Sequence, residues 1–539
     1  MSSGPCPDRH AATGLTKMFA GAVRAVARAF FTCCALAAAG PAAGAGLVIA
    51  LSADVTSLDP HYLASQPNVN IAWHVFDALT HVDERARLIP GLATSWRAVD
   101  STTWEFTLRK GVRFHDGSEL TADDVIYSLE RPLSIKGSPG GFAGYVRPIV
   151  AKTIVSPTVI RLKTAAPYGA LPQDLNSIHI VSRKAAEGAA TEDFDSGRAM
   201  VGTGPFRFVR FARGDRIELA RNDAYWGGKA AWDQVQFRVL TTDPARTAAL
   251  LAGDVDVIEH VPSADLARLR GNASYKLAQT VSWRTIFFHA DQARKQPPLV
   301  ADKGGKPLAS NPFADSRVRR AISKAINRQA LTERVLEGLA IPTANFVSPP
   351  VFGHNPALKP EAYDPEGARK LLAEAGFPNG FALTVAAPNN RYMNDEQVAQ
   401  AVAQMLARVG IVTKVDAMPI SAYLPKMRNR EYSFAMLGWG SFSADLALRA
   451  LAATTDEKKG YGAWNWGGYS NPALDRLIAQ SLATVDAPSR EALAREASAL
   501  ASNDLALIPL YHQVVTWAMK KNLSYTPRTD EFTFAHHVK

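Results

Sequence analysis

The sequence predicts an α/β protein, and three observations lead to this fold class. The pattern becomes rich in strands from residue 200, changes to alternating helices and strands over 310–503, and ends with one further strand at 505–519. With 539 residues, the chain is long enough for two to four domains. Hydrophobic residues make up 47% and charged residues 20%, proportions typical of globular proteins with sizeable cores.

The N-terminal segment 1–45 has the order of a cleavable secretory signal peptide. Lys17, Arg24 and Arg28 precede an uncharged apolar run at 29–39, and small residues follow as far as Ala45. The run is too short to cross a membrane, which takes about 20 residues. Bulky residues precede Cys33, so we expect no lipid anchor. Because every cysteine lies in this segment, the exported part would contain no disulfide.

The exported part begins with an apolar strand at 46–52, and residues 103–110 alternate apolar and polar side chains as a half-buried strand does. The stretch 115–124 then collects a histidine and four acidic side chains, for which a metal site, an acid–base pair or a turn before a helix are alternatives. Thr121 with Asp124 three residues later is typical of a capping box. The sequence therefore favours the turn and the helix.

The remaining elements follow in order. Residues 204–222 predict a β-hairpin around Arg213-Gly214-Asp215. The C-terminal half predicts helices at 364–376, 394–410, 471–483 and 488–501, and strands at 381–388, 411–418 and 433–439. The elements between 381 and 418 form a βαβ unit, and α/β sheets bind ligands at the loop that follows such a strand, here 389–395.

The sequence pattern disfavours several classes of function. The basic residues are scattered and are not interleaved with aromatic residues, so we expect no nucleic-acid binding despite the net charge of +10. The exported part has no G-x-S-x-G motif, no H-E-x-x-H motif and no cysteine, so we expect neither an enzyme nor catalytic residues. Its histidines show no metal-ligand spacing, and we expect no metal site and no cofactor.

Motifs along nearly the whole exported chain carry a family likeness. They are SLDPHY (57–62), the segment 92–131 from LATSW to YSLER, GTGPFRF (202–208), AYWGG (224–228), AGDVD (252–256), RVRRAISKAINR (317–328), YDPEGARKLLAEAGFPNG (363–380) and GYSNPALDRLI (468–478). Together they resemble the family 5 solute-binding proteins. These are the extracytoplasmic components of ABC importers that bind dipeptides, oligopeptides, glutathione or nickel.

The resemblance implies a two-lobed periplasmic binding protein fold with a split first lobe and hinge crossover strands. Lobe I would cover 46–288, with an inserted subdomain at about 90–200, and lobe II would cover 289–511. The chain would return to lobe I at 512–539. Residues 287–291 would cross outward between the lobes, and the strand at 505–519 would cross back.

The resemblance also implies a function. A periplasmic monomer would capture a peptide-like or related small solute between its lobes by hinge closure. It would then deliver the solute to a permease and ATPase complex at the inner membrane. Nickel or metal-chelate, opine and sugar-conjugate ligands are alternatives within the same fold, and a secreted hydrolase is the weaker alternative outside it.

The resemblance places a ligand-binding loop at 437–446. Trp439 matches the family's Gly-Trp pair, and we expect Trp439, Ser441 and Phe442 to contact ligand. In peptide-binding relatives a carboxylate at the position of Phe442 holds the ligand's amino end, so we expect this protein to bind free dipeptides poorly. Asp445 is a further candidate, although it matches a structural acidic position better.

The other candidate ligand-binding residues are spread over four segments. They are Asn390, Arg391 and Tyr392 in the βαβ loop, Trp464 and Asn465 in a glycine-rich aromatic loop, Tyr511, His512 and Gln513 on the returning strand, and Arg284 before the outward crossing. A guanidinium in such a loop can bind a carboxylate or phosphate, and aromatic rings can form a stacking wall. A solvated loop or an ordinary core position is the alternative for each.

Overall fold

The protein is built around one long mixed β-sheet, described here from a computed structural model that places residues 1, 45–138 and 140–539. The signal peptide predicted for residues 1–45 lies almost wholly outside this range. In chain order, the strands are Gly46–Leu51 (β1), Asp77–Ala78 (β2), Thr80–Val82 (β3), Leu88–Pro90 (β4), Ala93–Ala98 (β5), Thr103–Leu108 (β6), Ile149–Ser156 (β7), Val159–Thr164 (β8), His179–Ile180 (β9), Phe206–Ala212 (β10), Arg216–Arg221 (β11), Gln234–Val239 (β12), Val257–Glu259 (β13), Tyr275–Ala290 (β14), Val300–Ala301 (β15), Ala340–Pro342 (β16), Ala382–Pro388 (β17), Val412–Met418 (β18), Phe434–Trp439 (β19) and Ile508–Lys520 (β20).

The α-helices cover the sheet and fill the C-terminal half. They are Gln66–Val75, Ala122–Glu130, Ala143–Val146, Leu171–Asp174, Arg183–Ala186, Thr191–Asp195, Asp243–Ala252, Ser263–Arg270, Ser316–Ala325, Arg328–Ala330, Pro365–Glu374, Asp395–Ala407, Ile420–Arg428, Ala444–Leu451, Pro472–Ala483 and Ala487–Asn503. Within the described part of the chain, no helix combines the length and the apolar character needed to span a membrane.

The two longest strands, β14 and β20, pair with each other near the middle of the sheet. Strands from the N-terminal half, β10–β11–β12–β1–β13, continue the sheet beside β20, while β19, β17 and β15 continue it beside β14. The β14–β20 ladder runs from Tyr275 to Phe288 and shifts register between Val281 and Thr285. The outward crossing predicted at 287–291 is thus only the end of a strand that begins at Tyr275.

The predicted local structures are confirmed where the sequence signal was strong. β17 and β18 pair in parallel and are joined by the helix Asp395–Ala407, which is the expected βαβ unit. At the start of Ala122–Glu130, Thr121 and Asp124 form a reciprocal capping box, with the Thr121 hydroxyl accepting from the Asp124 amide. The acidic stretch before this helix is therefore a turn and a cap.

The segment between β4 and β9 forms its own antiparallel sheet, in the order β5–β6–β8–β7. Its core side chains, such as Phe106 and Ile160, belong to the same hydrophobic cluster as Leu448 and Ala497 of the C-terminal helices. The inserted sheet therefore shares one hydrophobic cluster with helices of the C-terminal third of the chain.

Candidate functional site

A cavity in the described structure has a volume of about 580 Å³ and lies between four parts of the chain. They are β3 and β4 with their turn, the helix Leu171–Asp174, the loop before residue 357, and Phe442 with the helix Ala487–Asn503. Most lining residues are apolar: Val82, Ala86, Leu88, Pro349, Pro350, Val351, Phe352, Pro356 and Phe442. The polar lining residues are Arg87, Gln173, His354, Glu491 and Arg495.

Phe442 is the one predicted ligand-binding residue that lines this cavity. Its ring is half-buried and meets the Trp283 ring edge-to-face, with the ring centroids 4.8 Å apart. The neighbouring Ser441 is buried, and its hydroxyl donates to the Ser443 carbonyl oxygen at 2.9 Å. Ser441 thereby shapes the loop that presents Phe442, and Phe442 supplies an apolar surface to the cavity.

Asp445 is completely buried in an ion pair with Arg490. Arg490 donates to both carboxylate oxygens, at 2.7 and 3.1 Å, and the hydroxyls of Ser443 and Ser481 donate to them as well. Burial alone would raise the pKa of Asp445, but Arg490 and the two hydroxyls hold it below its ordinary value. The geometry gives Asp445 a structural partner, and Asp445 does not line the cavity.

Trp439 and Trp464 form an aromatic group with Trp466. The ring centroids are 5.0 Å apart in both the Trp439–Trp464 pair and the Trp464–Trp466 pair. Asn465 organises this loop: its amide nitrogen donates to the Ala453 and Tyr469 carbonyl oxygens, and its oxygen accepts from the Tyr469 amide. The Asn465 side chain is thus occupied within its own loop.

The βαβ loop and Arg284 form a second group, separate from the cavity lining. The Tyr392 ring lies 6.0 Å from the Arg284 guanidinium and 5.7 Å from that of Arg391. Arg284 is bound bidentately to the buried carboxylate of Glu531, at 2.6 and 3.1 Å. The Asn390 side chain accepts from the Ile420 amide at 2.9 Å, so it holds the loop itself.

The three candidates on β20 are buried and carry polar atoms without a partner. The Tyr511 hydroxyl, His512 Nε2 and Gln513 Oε1 have no hydrogen-bond partner among the described residues. His512 Nδ1 lies 2.9 Å from the Thr285 hydroxyl, and burial lowers the pKa of His512 to about 3. These groups lie on β20, outside the cavity lining.

Sequence reasoning missed most of the cavity wall. Arg87, Gln173 and the pair Glu491 and Arg495 lie in three segments without a motif, and only the folded chain brings them together. The β3–β4 turn was not predicted, because strands of three residues carry little periodic signal. In the described part of the chain, no group of three or more histidine, cysteine, aspartate or glutamate side chains could hold a metal ion.

Comparison with known proteins identifies the family. The model described as "Bacterial extracellular solute-binding proteins, family 5 Middle" matches residues 87–459. The glutathione-binding protein GsiB of Escherichia coli O157:H7 is 28% identical over 511 residues, which cover 93% of this chain and 94% of that protein.

Solved structures share the fold. The periplasmic binding protein DppA from Helicobacter pylori, in complex with the peptide STSA, is 25% identical, with a TM-score of 0.76 and coverage of 92% of this chain and 98% of DppA. NikZ from Campylobacter jejuni, in complex with Ni(L-His), is 20% identical, with a TM-score of 0.76 and coverage of 92% and 99%. The predicted α/β periplasmic binding protein fold is confirmed. The chain therefore belongs to the bacterial extracellular solute-binding proteins of family 5, the substrate-binding components of ABC importers.

Proposed function

We propose that this protein captures a peptide-like or related small solute in the cavity beside Phe442 and delivers it to a membrane permease. The cavity carries this proposal, since about 580 Å³ lies within the range of roughly 300–1,000 Å³ that small-molecule sites occupy. Its mostly apolar wall with a few polar groups is also typical of such sites. GsiB binds glutathione by name and DppA holds a peptide, so the relatives support a solute of this size.

The proposed mechanism is closure of two lobes around the solute, with lobe I at 46–288 and 512–539 and lobe II at 289–511. Contacts between the segment at 168–174 and the helices after residue 444 support it. Arg449 donates to the Tyr168 hydroxyl at 2.8 Å, and Arg490 donates to the Gly169 carbonyl oxygen at 3.2 Å. These contacts would hold the closed form together.

Solute capture can be tested on protein purified from the periplasm by native mass spectrometry, which retains bound molecules. We expect the wild type to carry a small solute and Val82→Trp to lose it, because a tryptophan at this half-buried wall position would fill part of the cavity. Val159→Trp, at a half-buried position of β8 outside the cavity, is the matched control. A solute retained equally by both variants would contradict the assignment of this cavity.

We further propose that the protein is exported as a cleaved, monomeric periplasmic protein. The order of basic residues, apolar run and small residues before Ala45 supports cleavage there. N-terminal sequencing of the periplasmic form should begin at Gly46, and light scattering should give the mass of one chain. An intact N-terminus found in the cytoplasm would refute export.

A further inference from the structure

The cavity lining contains more positively charged side chains than negatively charged ones. Arg87 and Arg495 supply two guanidinium groups, and Glu491 supplies the single carboxylate of the lining. Glu491 is already engaged, because it accepts from Arg495 Nη2 at 2.8 Å and from the Gly353 amide at 3.4 Å. Among the described lining residues, therefore, no carboxylate remains unpaired to receive a positively charged group of a solute.

The histidine of the lining adds no compensating charge. His354 Nδ1 lies 3.0 Å from the Val347 carbonyl oxygen. Burial lowers the pKa of His354, and the nearby Arg495 lowers it further, so the ring is neutral at neutral pH. The lining residues themselves therefore carry one more positive than negative charge, because Asp83, the partner of Arg87, lies outside the lining.

Both guanidinium groups keep hydrogen-bonding capacity for a solute. Arg87 uses Nε and Nη2 on Asp83, and its side chain remains 63% exposed. Arg495 donates from Nε to the His354 carbonyl oxygen and from Nη2 to Glu491. In each case Nη1 has no partner among the described residues, and a planar guanidinium suits a carboxylate.

Gln173 adds a neutral acceptor to the same wall. Its side chain lines the cavity, and its Oε1 atom is buried without a hydrogen-bond partner in the described structure. An unpaired buried acceptor is unfavourable, and rotation of this amide toward the cavity would allow an N–H of a bound solute to satisfy it.

We infer that the cavity selects a solute with an apolar body, an amide and a carboxylate, and that it disfavours a free ammonium group. Arg87 and Arg495 receive the carboxylate, Gln173 receives the amide N–H, and Phe442 and Val351 pack against the apolar body. This inference rests on the proposed function, since it assigns the solute class of the same cavity. An ammonium group would lose its hydration there without gaining a charged partner.

Three matched probes test the inference by calorimetry on exported protein freed of bound solute in mild denaturant. They are the dipeptide Leu-Leu, its N-acetyl form and the N-acetyl dipeptide amide. We expect the N-acetyl acid to bind ten- to a hundredfold more tightly than either of the others, the range that one charged hydrogen bond accounts for. Tighter or equal binding of free Leu-Leu would overturn the inference.

Variants assign the effect to named residues, with circular dichroism confirming that each is folded. Arg87→Gln and Arg495→Gln should each weaken binding of the N-acetyl acid about tenfold and leave binding of the amide unchanged. Arg183→Gln removes a similarly exposed ion pair, with Glu187 four residues away, and should change neither. Phe442→Asp should reverse the preference toward free Leu-Leu. Unchanged affinity in both cavity arginine variants would overturn the carboxylate assignment.

A separate measurement distinguishes this inference from the proposed function. If the solute that co-purifies carries a free ammonium and no anionic group, the solute class is wrong while capture in the cavity stands. If no solute co-purifies and none of the three probes binds, the proposed function itself is refuted, and the inference with it.

Discussion

The backbone amide of Gly169 donates a hydrogen bond of 2.6 Å to the carbonyl oxygen of Leu482. This bond joins the segment after the inserted sheet to the helix Pro472–Ala483. The two backbones are so close that a Cβ at residue 169 would lie 1.9 Å from the Thr484 carbonyl oxygen. Only glycine fits this contact without displacement of one backbone from the other.

Substitution of Gly169 should therefore oppose closure. In Gly169→Ala we expect the contact with the C-terminal helices to be broken, so that the radius of gyration with bound solute exceeds that of the wild type. Small-angle scattering measures this difference. Gly144→Ala is the matched control, because a Cβ there meets no atom within 4 Å. Identical radii for Gly169→Ala and the wild type would show that the contact does not limit closure.

The Asp445–Arg490 pair should be a major determinant of stability. Removal of one partner from a buried ion pair leaves an uncompensated charge, which costs about 3–5 kcal/mol. We expect Asp445→Ala to lower the free energy of unfolding by this amount in urea denaturation. Glu187→Ala, which breaks the exposed pair with Arg183, should cost less than about 1 kcal/mol. Similar losses in the two variants would contradict the structural role of Asp445.

Acidification should destabilise the protein well above the range in which carboxylates titrate. Burial lowers the pKa of His74, His179 and His289 to about 3, below the ordinary 6.5 of the unfolded chain. The unfolded state therefore binds more protons below pH 6.5, and stability falls as the pH falls. Each histidine contributes up to about 1.4 kcal/mol per pH unit until its folded pKa is reached.

Urea midpoints at pH 7.0 and 5.5 measure this effect. His289→Leu should reduce the difference between the two midpoints, because leucine cannot bind a proton in the unfolded state. Neither ring nitrogen of His289 has a hydrogen-bond partner in the described structure, so the substitution removes no hydrogen bond. An equal or higher midpoint at pH 5.5 in the wild type would contradict the lowered pKa values.

The stability of the protein should depend on the ionised carboxylate of Glu531 in the C-terminal segment. Burial alone would raise the pKa of this carboxyl, but Arg284, His260 and Ser282 hold it at about 2. Because the folded pKa lies below the unfolded value, the stabilisation is present at neutral pH and is lost as the pH falls below about 4. Glu531→Gln should lower the unfolding free energy by about 1–3 kcal/mol at pH 7 and make less difference at pH 3. An equal loss at both pH values would contradict this account.

Local sequence patterns predicted elements well where one residue type dictates the backbone. The turn at Arg213-Gly214-Asp215 joins β10 and β11, with Gly214 at a positive φ, as the dipeptide chemistry indicates. A strand was predicted at 505–519, and β20 is observed at Ile508–Lys520. This strand could be predicted because its side chains are almost continuously buried, which gives a long apolar run in the sequence. By contrast, the first part of β14 has a mixed, half-exposed pattern that resembles a loop.

The site was harder to predict than the fold. Phe442, whose loop a motif marks, lines the proposed cavity, whereas Trp439, Arg391 and the β20 residues lie outside its lining. The chemistry of a cavity depends on which distant segments line it, and tertiary packing alone brings Arg87 and Arg495 to the same cavity. No periodicity or spacing in the sequence indicates that these two residues line one cavity.

The paired strands β14 and β20 also set the mechanical character of the molecule. A ribbon of two hydrogen-bonded strands bends readily out of its own plane but resists in-plane shear, because shear would break the ladder of backbone bonds. The ladder is interrupted at two register shifts, between Val281 and Thr285 and between Ile286 and Phe287. If the proposed lobes close by bending at these interruptions, the intact ladder on either side would restrict the motion to one direction, so that repeated opening and closing would return the lobes to the same alignment.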